Sequence, residues 1–205
     1  WVNTLHWSDS EGLLYIGCEE RAGLHRYDPE GQGMIDGQSD ARLGDVQDLA
    51  FGEGELDSST FSISLWRSRF LTELDRTSLE IKRQVAIGGT HYHLAYDPKT
   101  QLLFTSSYYG GRVRVVDARS METRASLPGD FGTREVVVHP AARLLLASST
   151  YSGELRLWSL REQEPRLVEN LSLGGHIKDI RVDPTSPRAW TWSQCGLYSI
   201  DLSGL

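Results

Sequence analysis

Five positions carry residue types and a spacing that could do chemistry: Thr4, Asp48, His93, Glu135 and Asp179. Each stands three residues before the last core residue of a short apolar run, respectively Trp7, Phe51, Tyr96, Val138 and Val182. If those runs are equivalent strands, the five side chains lie at one level. Three carboxylates and an imidazole brought together would suit a divalent cation. Oxygen ligands favour calcium, and adding His93 turns the set toward a transition metal. A solvated polar lining explains the same residues without a metal. Residues two places earlier, Val46, His91, Thr133 and Ile177, form no consistent second polar shell, which weakens a catalytic role. His91 and His93 point the same way in an extended segment, but two histidines alone define no metal centre.

Tyr108, Tyr109 and Tyr151 are the second candidate set, for partner binding. Tyr109 and Tyr151 are 42 residues apart. Tyrosines on turns make large, rigid contacts with a polar tip and suit a protein or sugar partner. Packing between neighbouring sheets would use the same rings.

The elements that position both sets are short strands. From His91 to Gly129 the chain reads as four of them: one ending at Tyr96, then Leu102 to Ser106, Val113 to Val116 and Glu122 to Leu127, separated by Asp97-Pro98 and Gly110-Gly111 turns. The third strand's end recurs at Asp28, Asp75, Asp117, Ser159 and Asp201, with spacings of 47, 42, 42 and 42. Four strands in each repeat of this length are the mark of a β-propeller blade. The expected fold is therefore all-β, a β-propeller of four-stranded antiparallel blades in one domain, residues 1–205. Five repeats are visible, at approximately 4–44, 45–88, 89–131, 132–174 and 175–205.

The first and last repeats are irregular. In the first, the glycine-rich segment from Gly31 to Gly44 replaces a clean fourth strand and reads as a surface loop. In the second, Thr60 to Trp66 reads as the second strand. The last gives Ile177 to Val182, Arg188 to Trp192 and Leu197 to Ile200, with no fourth strand. Only three residues precede Thr4, fewer than the roughly five a closing strand needs. The ring is thus incomplete or closed unusually, and a fragment of a larger ring or assembly is the favoured reading.

The third repeat, with Leu94 to Pro98, Leu103 to Ser106 and Val113 to Asp117, resembles the YVTN and surface-layer type of propeller repeat. The fourth is similar to WD40: Leu155 to Ser159 stands at that family's Trp-Asp ending, and Gly175-His176 matches its Gly-His pair. Both resemblances imply binding and scaffolding, and the YVTN type implies an extracytoplasmic place, periplasmic or surface. The channel set of Asp48, His93, Glu135 and Asp179 resembles that of six-bladed lactonase-like propellers. That likeness implies a catalytic metal.

Composition narrows the classes. The net charge is -7 and no basic run exists, which argues against nucleic acid. Hydrophobic residues make up 39%, with six Trp and eight Tyr to fill the space between sheets. No apolar run approaches the roughly 18 residues of a membrane span. The chain opens on Trp1 with no visible signal peptide, so a leader has been removed or the chain is part of a longer one, and the compartment stays open. Cys18 and Cys195 fall in the first and last repeats. They read as two buried free thiols, with a disulfide as the alternative in an oxidising compartment. No nucleophile elbow, phosphate loop, dinucleotide fingerprint or calcium loop is present. The expected function is a noncatalytic binding or structural subunit of a protein assembly without a cofactor. The alternative is a metal-dependent lactonase-like hydrolase or lyase with a divalent cation in the central channel.

Overall fold

The structure, a computed structural model, describes every residue except 20–22, 32 and 65–68. The chain forms two compact units, Trp1–Tyr92 and His93–Leu205. Among the described residues there is no α-helix, and one 3-10 turn at Gly54–Leu56 interrupts the strands. No helix of the described residues is long and apolar enough to cross a membrane.

The first unit holds two four-stranded antiparallel sheets. Sheet I runs β1 (Val2–Ser8), β2 (Leu13–Cys18), β3 (Leu24–Asp28) and β4 (Gly33–Gln38). Sheet II runs β5 (Val46–Phe51), β6 (Ser59–Ser64), β7 (Phe70–Asp75) and β8 (Ile81–Ala86). The second unit carries most of β9 (His91–Asp97), followed in sheet III by β10 (Leu102–Ser107), β11 (Arg112–Asp117) and β12 (Thr123–Pro128). Sheet IV runs β13 (Thr133–His139), β14 (Leu144–Ser149), β15 (Glu154–Ser159) and β16 (Arg166–Ser172). Sheet V has three strands, β17 (Ile180–Val182), β18 (Arg188–Ser193) and β19 (Gly196–Asp201).

The repeat extends to backbone irregularities. Between third and fourth strands the register shifts at Arg26/Tyr27, Glu73/Leu74, Val115/Val116 and Leu157/Trp158, the same place in four sheets. A shift of this kind adds a residue to one strand and increases local twist. The recurrent aspartate that closes strand three has a local reason. Asp75 accepts hydrogen bonds from the backbone N–H groups of Thr77 and Ser78 at 3.0 and 2.9 Å, and Asp117 does the same for Arg119 and Ser120. A short carboxylate that folds back on its own turn fixes the hairpin to the fourth strand.

Side chains alternate between two faces of each strand, so a central sheet is apolar on both. Sheet III sends Leu102, Phe104, Val113 and Val115 into one cluster with Val136, Leu145, Ala147 and Trp158 of sheet IV. The other face of sheet IV, with Leu144, Leu146, Leu155 and Leu157, meets Ile180 and Ala189 of sheet V. Sheets I and II join through Tyr15 and Leu24 against Val46, Leu49 and Leu74. The Tyr15 ring meets Phe51 edge-on at 4.9 Å, and the Arg76 guanidinium lies 4.5 Å from the centre of the Phe51 ring. Truncating a buried leucine at any of these contacts would cost about 2–5 kcal/mol.

Two expectations need correction, and a third falls partly outside the described residues. The segment from Gly31 to Gly44 contains the regular strand β4, paired to β3 and anchored where Arg26 binds Asp36 through Nε and Nη2. The last sheet's first strand begins at Ile180, not Ile177, which leaves Asp179 just before it. The second strand of sheet II is assigned over Ser59–Ser64, and the expected end at Leu65 and Trp66 lies outside the described residues.

Candidate binding surface

At one end of sheets III and IV the turns gather aromatic rings. Tyr109 lies in the turn between β10 and β11, Phe131 in the link from β12 to β13, Tyr151 in the turn between β14 and β15, and His176 in the link from β16 to β17. Ring centres are 6.0 Å apart from Tyr109 to Phe131, 5.3 Å from Phe131 to Tyr151 and 6.3 Å from Tyr151 to His176. Phe131 and Tyr151 stack at 18°. Tyr108 is buried beneath and touches Tyr109, Phe131 and Tyr151 at 5.2, 6.3 and 5.8 Å. Tyr109, Phe131 and Tyr151 are each more than half exposed, at 54%, 57% and 51%. The row therefore presents apolar area to solvent while standing on a buried ring.

Local backbone geometry holds the row. The Ser149 hydroxyl donates to the Phe131 carbonyl at 2.9 Å, and Thr133 Oγ1 donates to the Asp130 carbonyl at 2.7 Å. The His176 N–H donates to the Thr150 carbonyl at 2.5 Å. Gly132 has φ +86°, and a Cβ there would lie 2.6 Å from the Tyr151 ring. Beside the row, Arg156 Nη2 donates to both Asp130 carboxylate oxygens at 3.0 and 2.9 Å, forming a polar margin.

No protein-family model matches the chain, and no characterised protein matches it in sequence.

The structure distributes the expected metal ligands as follows. In the first unit Asp48 accepts from Thr4 Oγ1 at 3.1 Å and meets His6 Nε2 at 2.8 Å. In the second, His93 Nε2 stands 3.2 Å from a Glu135 carboxylate oxygen. Asp179 accepts from the Ile180 N–H at 2.7 Å and pairs with Arg181 at 2.6 Å. Equivalent positions of adjacent sheets thus do face each other, as Thr4 with Asp48 and His93 with Glu135. Among the described residues no three His, Cys, Asp or Glu side chains are grouped to hold a metal. His91 does not serve with His93, since it is fully buried and its Nε2 lies 2.5 Å from the Gly88 carbonyl.

At the opposite ends of the strands a cleft of about 600 Å³ opens between sheets III and IV, over Leu102, Val115 and Leu160. Two arginines that line it are held by carboxylates, Arg124 by Asp117 and Arg143 by Asp97. Burial pushes the Asp97 carboxyl up, but hydrogen bonds from Arg143 and Thr100 outweigh it and hold the group below the usual carboxylate range. In the first unit, burial together with the Glu11 carboxylate pushes the Tyr15 hydroxyl up to about 12. The Asp97 contact lies at the opposite end of its strands from the aromatic row. Cys18 and Cys195 are free thiols, and Cys195 is exposed, which corrects the expectation that both are buried.

Of the rings in this row, sequence reasoning named Tyr109 and Tyr151 and did not name Phe131 or His176. Tyr108, counted with the contact residues, supports the row from below. A usable signal existed for Phe131. It sits between Asp130 and Gly132, where turn residues dominate, about half a repeat from each tyrosine.

Proposed function

We propose that the five sheets are blades of a β-propeller and that the protein is a noncatalytic binding subunit of an assembly, docking a protein partner on the row Tyr109, Phe131, Tyr151 and His176. The observation that carries this reading is the exposure of three contiguous aromatic rings on turns that are internally fixed. Exposed contiguous apolar area of this kind marks interaction sites. Aromatic side chains dominate binding hot spots because they bury much area and lose few rotamers. The Asp130–Arg156 pair supplies the polar rim that such sites carry. A protein partner fits better than a sugar. Phe131 and Tyr151 direct one ring face at each other, leaving less open face for sugar stacking.

Copurification from the native source tests this. Tyr109→Ser and Tyr151→Ser should each lose a stoichiometric protein partner that the unaltered chain retains, with melting temperature unchanged. Retention of the partner by both variants would contradict the reading.

A further inference from the structure

The turn after the third strand of a sheet follows one rule, and sheet IV breaks it. Four residues after Asp75, Asp117 and Asp201 stand Leu79, Met121 and Leu205. Leu79 is buried in the cluster that joins sheets I and II, and Leu205 packs against the cluster that joins sheets IV and V. Met121 is buried as well. The N–H groups of Leu79 and Met121 donate to the Asp75 and Asp117 carbonyls at 2.8 Å, which turns each side chain inward. In sheet IV, Ser159 stands in place of the aspartate and Gln163 in place of the apolar residue. Gln163 is exposed and lines the cleft of about 600 Å³ between sheets III and IV. The cleft is therefore a gap at a position where the repeat elsewhere supplies an apolar side chain.

The lining states what chemistry the gap accepts. Its floor is apolar, with Leu102, Val115 and Leu160 of the core cluster and the half-buried Ala125 of the outer strand β12. Four cations line it, and two of them are neutralised, Arg124 by Asp117 and Arg143 by Asp97. Among the described residues Lys99 and Arg161 pair with no carboxylate, and the Arg161 guanidinium reaches only the Ala142 carbonyl, at 3.4 Å. Of the two glutamates in the turn, Glu162 is paired with Arg166, which leaves Glu164 alone against two unpaired cations. The cleft is thus locally positive in a chain of net charge -7.

We infer that this cleft binds a small amphipathic organic anion, a monocarboxylate whose apolar body takes the place of the missing side chain while its charged head meets Lys99 and Arg161. An apolar concavity with a few convergent polar groups is the usual form of a small-molecule site, and this one falls within the roughly 300–1,000 Å³ such sites occupy. Unpaired cations at its mouth raise the local concentration of anions. The inference rests on the cleft alone and is independent of what the aromatic row docks.

Fluorescence titration of the full chain with 8-anilinonaphthalene-1-sulfonate, an apolar ring system carrying one anionic group, tests it, followed by competition with octanoate and with its neutral counterpart octanamide. The unaltered chain should take up the probe saturably at one site, and octanoate should displace it at concentrations about tenfold lower than octanamide, the difference a charged contact makes. Lys99→Glu combined with Arg161→Glu should weaken the probe by about tenfold or more. Ala125→Phe, which fills the cleft, should abolish binding. Phe131→Ala should bind the probe as the unaltered chain does, because the aromatic row lies at the other end of the strands. Lys99 and Arg161 are exposed, so unchanged melting curves will confirm that the charge-reversed protein is folded. Absence of saturable binding by the unaltered chain would overturn the proposal, as would equal displacement by octanoate and octanamide. Undiminished binding after charge reversal would do the same, and loss of the probe in Phe131→Ala would move the site to the aromatic row.

Discussion

Arg143, in the turn between the first two strands of sheet IV, places Nη1 and Nη2 on the two carboxylate oxygens of Asp97 at 2.6 and 2.8 Å. Asp97 ends the first strand of sheet III and is 1% exposed, so this bidentate pair ties two sheets together out of solvent. Its equivalent one sheet later uses other chemistry. His139 Nε2 reaches the Ser186 carbonyl at 2.9 Å, between sheets IV and V.

Removing Arg143 leaves Asp97 buried without its main counter-charge. Arg143→Ala should destabilise the second unit by about 3–5 kcal/mol, measured by urea unfolding at neutral pH. Because the folded Asp97 carboxyl titrates below its unfolded value of about 3.9, its contribution is full above that value and is lost as pH falls through the folded one. The stability difference between the unaltered chain and Asp97→Asn should therefore shrink on acidification below about pH 4. A difference that is constant with pH would show that the pair contributes nothing through charge.

Gly132 supports Tyr151 by having no side chain. In Gly132→Ala the new Cβ meets the ring at 2.6 Å and the backbone holds a φ of +86° that alanine resists. The expected cost is about 1 kcal/mol or more of stability, with partner affinity lowered as well. Phe131→Ala, at an exposed position, should leave stability within about 0.5 kcal/mol and lower affinity by about 30-fold, as a hot-spot truncation does. Calorimetric titration with the copurified partner separates the two effects.

The polar residues on or beside the first strands of the sheets already have partners, Asp48 with His6, His93 with Glu135 and Asp179 with Arg181. Millimolar calcium or micromolar zinc should leave the melting temperature unchanged, since only a ligand that binds the folded state raises it. A saturable rise that Glu135→Ala abolishes would restore the metal reading.

The two thiols should differ in reactivity. Cys195 is exposed and Cys18 half-buried, so a maleimide should label Cys195 first in the folded protein, read by mass spectrometry after digestion. Equal labelling rates would place Cys18 in a more open setting than its strand provides.

The strands were legible because their determinants are local. The aspartates at 28, 75, 117 and 201 close recurrent turns on their own backbone, and apolar runs between them set strand length. The strand at Gly33–Gln38 was hidden. Its glycines read as loop, and its anchoring depends on Arg26, ten residues away from Asp36 in the chain. In the aromatic row, spacing picked out Tyr109 and Tyr151, but neighbouring tyrosines in one turn, Tyr108 and Tyr109, gave no hint of which would be buried. That distinction depends on Phe131 and Tyr151 covering Tyr108 from other turns. Polar residues at one level suggested convergence, and within each unit neighbouring sheets bring Thr4 to Asp48 and His93 to Glu135.

The most direct test of the aromatic row is a photocrosslinker, p-benzoylphenylalanine, placed at Phe131 and, as a control, at the exposed Leu167 of the outer strand β16. In the native source the Phe131 position should give one discrete protein adduct that the Leu167 position does not, and Tyr151→Ser should remove it. No adduct at Phe131, or the same adducts from both positions, would contradict the assignment of this row as the binding surface.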